Sequence, residues 1–167
     1  MTERGLPGNL DAGSVRKAIT VQSPQAVAWH VFTENMGAWW PLRTHKIGKA
    51  EAVDVVIEPR AGGRWYERGV DGSTCDWGRV LAWEPPQRLL LSWEITADWR
   101  HEPQLQTEVE VRFVAEGKGV TRVELEHRHL DRYGSLRDQM RDIFGSDAGW
   151  KGLLEAFAAR ASKGDSP

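Results

Sequence analysis

The chain runs to 167 residues and holds a single cysteine, Cys75. One cysteine excludes an intrachain disulfide and any cysteine-based zinc site, and Cys75 reads as a small, half-buried strand side chain. An excess of charge of one sign is also missing: 22 basic and 24 acidic residues are spread along the sequence and leave a formal charge of −2. With no basic stripe, neither nucleic acid nor an anionic membrane is the expected partner. No apolar run is long enough to cross a bilayer. Residues 1–13 hold glycine, proline and charges where a secretory signal would have an apolar core.

Glycine-rich phosphate loops, dinucleotide fingerprints, nucleophile elbows and Cys-His pairings are absent, which argues against nucleotide-dependent chemistry. The Gly62-Gly63 pair is a turn requirement, since no helix N-terminus follows it to receive a phosphate. These absences lead to the expectation of a cytoplasmic protein without cofactor or metal. Its length suits one domain, over residues 14–161, between a disordered leader (1–13) and a disordered tail (162–167).

Tryptophan, by contrast, is plentiful, with nine in the chain. Each indole N–H needs a partner when buried, so so many in a small protein suggest a wide interior, and a wide interior is often a ligand cavity. Simple filling of the core is the competing reading for any one of them.

Alternation of apolar residues (Val15, Ile19, Val21) predicts a first strand that stops at Ser23-Pro24. Ser23 suits an N-cap and Pro24 the first helical position, so a helix is expected from Pro24 to about Thr33. A short aromatic turn, Met36 to Pro41, follows. From Ala52 the period becomes that of strands: Val53, Val55 and Ile57; Arg64 to Arg68; Cys75 to Trp83; Leu89, Leu91, Trp93 and Ile95. The cleanest alternation is Thr107, Val109, Val111, Phe113 and then Val123, Leu125, His127, with charged residues between them, as in an antiparallel sheet with one solvated face. A helical stripe from Met140 to Phe157, broken over residues 145–149, is expected to cover the other face.

The pattern Val15 to Val21 with Ser23-Pro24, Val31-Phe32-Thr33, Trp39-Trp40-Pro41, Glu58 to Gly63, Gly78-Arg79-Val80, Glu84-Pro85-Pro86 through Trp93, and Gly149-Trp150 resembles the START-like (SRPBCC) superfamily. Within it, the chain is similar to the activator-of-Hsp90-ATPase homologue group of small bacterial proteins, over residues 14 to 160. The resemblance implies an α+β helix-grip fold: a curved antiparallel sheet of six to seven strands around a long C-terminal helix, with two short helices after the first strand. It also implies a choice among hydrophobic ligand binding, cofactor-free cyclase, dehydratase or hydrolase chemistry, and co-chaperone activity. Such folds host unrelated functions, so residues must decide.

Extending the alternation places Trp65 and Glu67, then Asp76, Gly78 and Val80, then Leu91 and Trp93, then Val109 and His127 on the inner face. A one-residue slip would send Glu67 and Asp76 to solvent. His127 interrupts an apolar face, which suits a general acid or base, or a histidine satisfied by its neighbours. Trp39 and Trp40 suit a cavity mouth or a staple between helices, and Trp150 suits core or cavity lining. Glu126, His127 and His129 make a poor metal set, because Glu126 points opposite to both histidines. His30, His45 and His101 read as surface residues.

The leading expectation is a cavity that binds a hydrophobic or aromatic small molecule. Catalysis by His127 with a pocket carboxylate, and an interaction module, are the alternatives. An edge strand or the aromatic mouth offers a place for a homodimer.

Overall fold

The computed structural model describes residues 13–162. Of the expected leader (1–13) and tail (162–167), all but residues 13 and 162 lie outside the described residues. Strand β1 (Ser14–Val21) is followed by helices α1 (Gln25–Glu34) and α2 (Met36–Trp39). Then come β2 (Ala52–Ile57), β3 (Arg64–Gly69), β4 (Thr74–Glu84), β5 (Arg88–Trp93), β6 (Thr107–Gly117) and β7 (Val120–Arg128). A 3-10 segment (Leu130–Leu136), α3 (Arg137–Gly145) and α4 (Trp150–Ala161) close the chain.

The seven strands form one antiparallel sheet in the order β1-β7-β6-β5-β4-β3-β2. Every neighbour except the β1–β7 pair is consecutive in sequence, so hairpins supply most of the pairing. The curved sheet wraps the bent C-terminal helix, which is the helix-grip architecture implied by the sequence. Val109, Val111 and Phe113 of β6 and Val123, Leu125 and His127 of β7 face inward and are buried. Their charged alternates form ion pairs on the outer face, such as Arg88–Glu110 and Arg128–Glu108.

Two local expectations need correction. Helix α1 takes Pro24 as its cap and gains no side-chain hydrogen bond there, so the boundary lies one residue later than the Ser23 cap. The Ser23 hydroxyl is buried and has no partner among the described residues. Val53 is 45% exposed because the β2–β3 register shifts between Ala52 and Asp54, and that extra residue turns it outward.

The break in the C-terminal helix has a steric cause. A side chain on Gly149 would place its Cβ 2.4 Å from the carbonyl oxygens of both Ile143 and Phe144, so only glycine lets the chain fold back there. At the sheet, β4 and β5 approach so closely that a Cβ on Gly78 would lie 1.8 Å from the Ser92 carbonyl oxygen. Gly78→Ala is therefore expected to cost about 1–3 kcal/mol or more, since backbone and not a flexible side chain must move. Urea denaturation checks this, and an unchanged midpoint would refute the close approach.

Candidate functional site

A cavity of about 340 Å³ opens between the sheet, the loop of residues 41–51 and the broken C-terminal helix. Trp77 and Trp93 line it from β4 and β5, Trp40 from the end of α2, and Trp150 from α4. These rings meet largely edge to face, with Trp40 5.1 Å from Trp77 and Trp93 5.9 Å from Trp150. Such tilted contacts are favoured by the ring quadrupoles and leave flat faces as walls. Trp99 stands at the rim, 44% exposed, on left-handed backbone (φ 62°).

Trp77 enters through a bulge. In the β3–β4 ladder Trp65 pairs with Gly78 and Tyr66 with Asp76, which leaves Trp77 as the extra residue. The expectation that Asp76 faces inward is thereby corrected. Asp76 sits on the outer face, where Arg64 donates to it at 2.7 Å.

Glu67 does face inward and is 2% exposed. Its Oε1 accepts from the Ile47 N–H at 2.7 Å and the Trp77 indole N–H at 2.8 Å, and its Oε2 accepts from the Gly48 N–H at 3.0 Å. A buried carboxylate needs such donors in place of water. Here they fasten the 41–51 loop, which has no strand or helix of its own, against the sheet. Glu67 is accordingly a positioning residue for one wall of the cavity. Glu67→Gln would present an NH₂ group to these donors, and a loss of about 1.5–3 kcal/mol is expected. Hydrogen exchange of the Ile47 and Gly48 amides should accelerate in that variant; unchanged protection would exclude the clamp.

His127 is fully buried and does not reach the cavity surface. The Trp150 indole donates to its Nδ1 at 3.1 Å, so Nδ1 carries no proton. The other ring nitrogen, Nε2, then donates to Thr107 Oγ1 at 2.9 Å, and that hydroxyl donates to the Trp93 carbonyl at 3.0 Å. Phe144 covers the ring at 4.4 Å. With both nitrogens committed and no water access, the imidazole is a neutral scaffold group that orients two cavity tryptophans. The reading of a histidine satisfied by its neighbours is the one the geometry favours.

Burial pushes the His127 pKa down from 6.5 to about 3. The unfolded chain takes up a proton near pH 6.5 that the folded chain refuses until about pH 3, so stability falls as pH drops through that window. The contribution is at most about 1.4 kcal/mol per pH unit. Comparing wild type with His127→Asn between those limits should show this slope in the wild type alone; equal slopes would refute it.

The remaining expected site residues lie behind the cavity. Trp39 bonds the Val31 carbonyl at 3.0 Å and packs on Phe32 and Phe157, as a staple between helices. Trp65 is buried between Trp77 and Trp93. Val80, Leu91 and Val109 are buried in the core beneath it. The indole N–H groups of Trp65 and Trp93 are buried and make no hydrogen bond of good geometry among the described residues. The Tyr133 hydroxyl, held protonated by burial, donates to the Ile95 carbonyl at 2.6 Å.

Sequence reasoning missed Trp77, Trp99 and the loop residues Thr44 to Ile47. His45, read as a surface residue, lines the cavity, and its Nε2 donates to the Ala148 carbonyl at 2.6 Å, tying the loop to the helix break. His101 pairs with the buried Glu94 at 2.9 Å, alongside Arg79. Glu126, His127 and His129 do not converge: Glu126 pairs with Arg16 on the outer face, and His129 approaches Glu108. Among the described residues no helix is long and apolar enough to span a membrane.

A curved antiparallel sheet gripping a bent C-terminal helix, with an aromatic cavity at one end of the grip, defines a START-like protein. The chain belongs to the family described as activator of Hsp90 ATPase homolog 1-like protein, whose model matches residues 22–162. Among solved structures it is similar to the anthrahydroquino-γ-pyrone synthase Txn09, at 37% identity over 88% of this chain and 96% of that one, with a TM-score of 0.62. It is also similar to CalC, a self-sacrificing resistance protein from Micromonospora echinospora, at 32% identity over 91% and 96% of the two chains, with a TM-score of 0.67. Protein NE0264 from Nitrosomonas europaea, at 14% identity over 92% and 97% and a TM-score of 0.64, shares the fold. No curated protein matches the sequence.

Proposed function

We propose that this protein binds a planar, oxygen-bearing aromatic small molecule in the tryptophan-walled cavity and does so without using His127 as an acid or base. The observation that carries the reading is the lining: Trp40, Trp77, Trp93 and Trp150 present ring faces and edges to a space of about 340 Å³. That volume falls within the roughly 300–1,000 Å³ of small-molecule sites, and such apolar walls with few polar groups suit a flat ligand. The similarity to Txn09 supports it, since an anthrahydroquino-γ-pyrone is a fused aromatic ring system carrying oxygens.

The same similarity favours a second reading, in which the cavity folds an aromatic precursor for ring closure. Among the described residues the only ionisable side chains in the lining are His45 and Lys46, and both His45 ring nitrogens are already engaged. That arrangement favours holding a ligand over moving a proton.

Titration with 1,8-dihydroxyanthraquinone, followed by tryptophan fluorescence, is expected to give saturable quenching. Ile143→Trp, which adds bulk at a half-buried lining position, should weaken binding by about tenfold or more. Absence of saturable quenching would sink the reading. Mass spectrometry of the recovered ligand separates binding from conversion.

A further inference from the structure

The charges around the cavity mouth narrow the class of ligand, given the aromatic reading of its interior. Among the described residues the lining contains two ionisable side chains, His45 and Lys46, and no carboxylate. Both come from the 41–51 loop, which also carries Arg43 and Lys49. Elsewhere the sheet balances its cations closely: Arg64, Arg68, Arg79, Arg88 and Arg128 each hold a carboxylate. The Lys46 ammonium has no such partner among the described residues. Its Nζ donates to the Gly48 carbonyl at 2.7 Å, an acceptor that neutralises no charge.

Nearby acids do not change this balance. Glu67 lies behind the lining residues Ile47 and Trp77, its oxygens engaged by the Ile47 and Gly48 amides and the Trp77 indole. Asp147, beside the helix break, is paired with Lys151 at 3.3 Å. Glu51, at the end of the loop, is exposed and outside the lining. An ammonium has three donors, so Lys46 keeps two for a ligand after its bond to Gly48. Lys46 is half-buried in the lining, so its aliphatic stem can pack on apolar surface while the ammonium remains available to a polar group.

We infer that the cavity selects aromatic molecules bearing an anionic substituent, a carboxylate or an ionised phenol, with the rings among the tryptophans and the anion at the rim against Lys46. A low-dielectric wall on one side of the pair strengthens the attraction relative to open water. A ligand cation at the same place meets His45 and Lys46 with no carboxylate to receive it.

The test uses a matched pair, anthraquinone-2-carboxylate and anthraquinone-2-carboxamide, titrated at pH 7.5 by tryptophan fluorescence. Wild type is expected to bind the carboxylate about fivefold tighter than the amide, as one partly exposed ion pair allows. The ratio should fall below about twofold in Lys46→Gln and at high salt, persist in Lys46→Arg, and persist in Lys118→Gln, which lies in the distant β6–β7 turn. Equal binding of the two ligands by wild type, or a ratio that survives in Lys46→Gln, would overturn the inference and leave the aromatic reading intact. Failure of both ligands to bind would overturn the aromatic reading, and this inference with it.

Discussion

The close approach of β4 to β5 at Gly78 is the constraint on which the cavity depends. With no side chain there, the Gly78 backbone sits against the Ser92 carbonyl, and the bulge that accompanies it turns Trp77 inward. Trp77 then supplies one of the three donors that saturate Glu67, and Glu67 in turn holds the Ile47 and Gly48 amides. A loop without regular structure is thereby fixed as a wall, and Lys46 is set at its rim. Backbone geometry at one residue thus propagates through two side chains to the mouth of the cavity.

Tryptophan makes an unusual core material because each ring brings a donor that must be answered. The structure answers several with groups placed for the purpose: the Val31 carbonyl for Trp39, the His45 carbonyl for Trp40, Glu67 for Trp77 and His127 for Trp150. Seen this way, a buried histidine and a buried glutamate are requirements of the aromatic wall. Each would be costly alone in an apolar interior, and each is tolerated because an indole donates to it.

Most of the fold could be read from the sequence because strands whose one face is solvated carry period-two alternation. Thr107 to Phe113 and Val123 to His127 are the clearest case, and they placed His127 inside. Legibility ended where the period broke. The bulge at Trp77 inverted the reading of Asp76, and the register shift after Ala52 inverted that of Val53, because one extra residue exchanges the faces of a strand. The loop from Pro41 to Glu51 has no periodicity at all, so the part of the cavity around Lys46 was invisible to pattern. One signal was available: Leu42-Arg43-Thr44-His45-Lys46 follows directly on Trp39-Trp40-Pro41, and a basic segment adjoining aromatics is a recognisable rim.

The difference between the two faces of the sheet bears on what the cavity is for. On the outer face, acids and bases alternate on neighbouring strands and neutralise one another, so that surface offers little net field to a charged molecule. At the mouth of the cavity, the Lys46 ammonium stands without a carboxylate partner among the described residues, beside an apolar interior. Surface ion pairs contribute little to stability in any case, so the outer pairs say more about what that face avoids than about what holds it together. An uncompensated ammonium beside an aromatic wall adds nothing to folding. Its consequence is selective: it favours ligands that bring a negative charge to the rim, and a ring system without one gains only the burial of its faces.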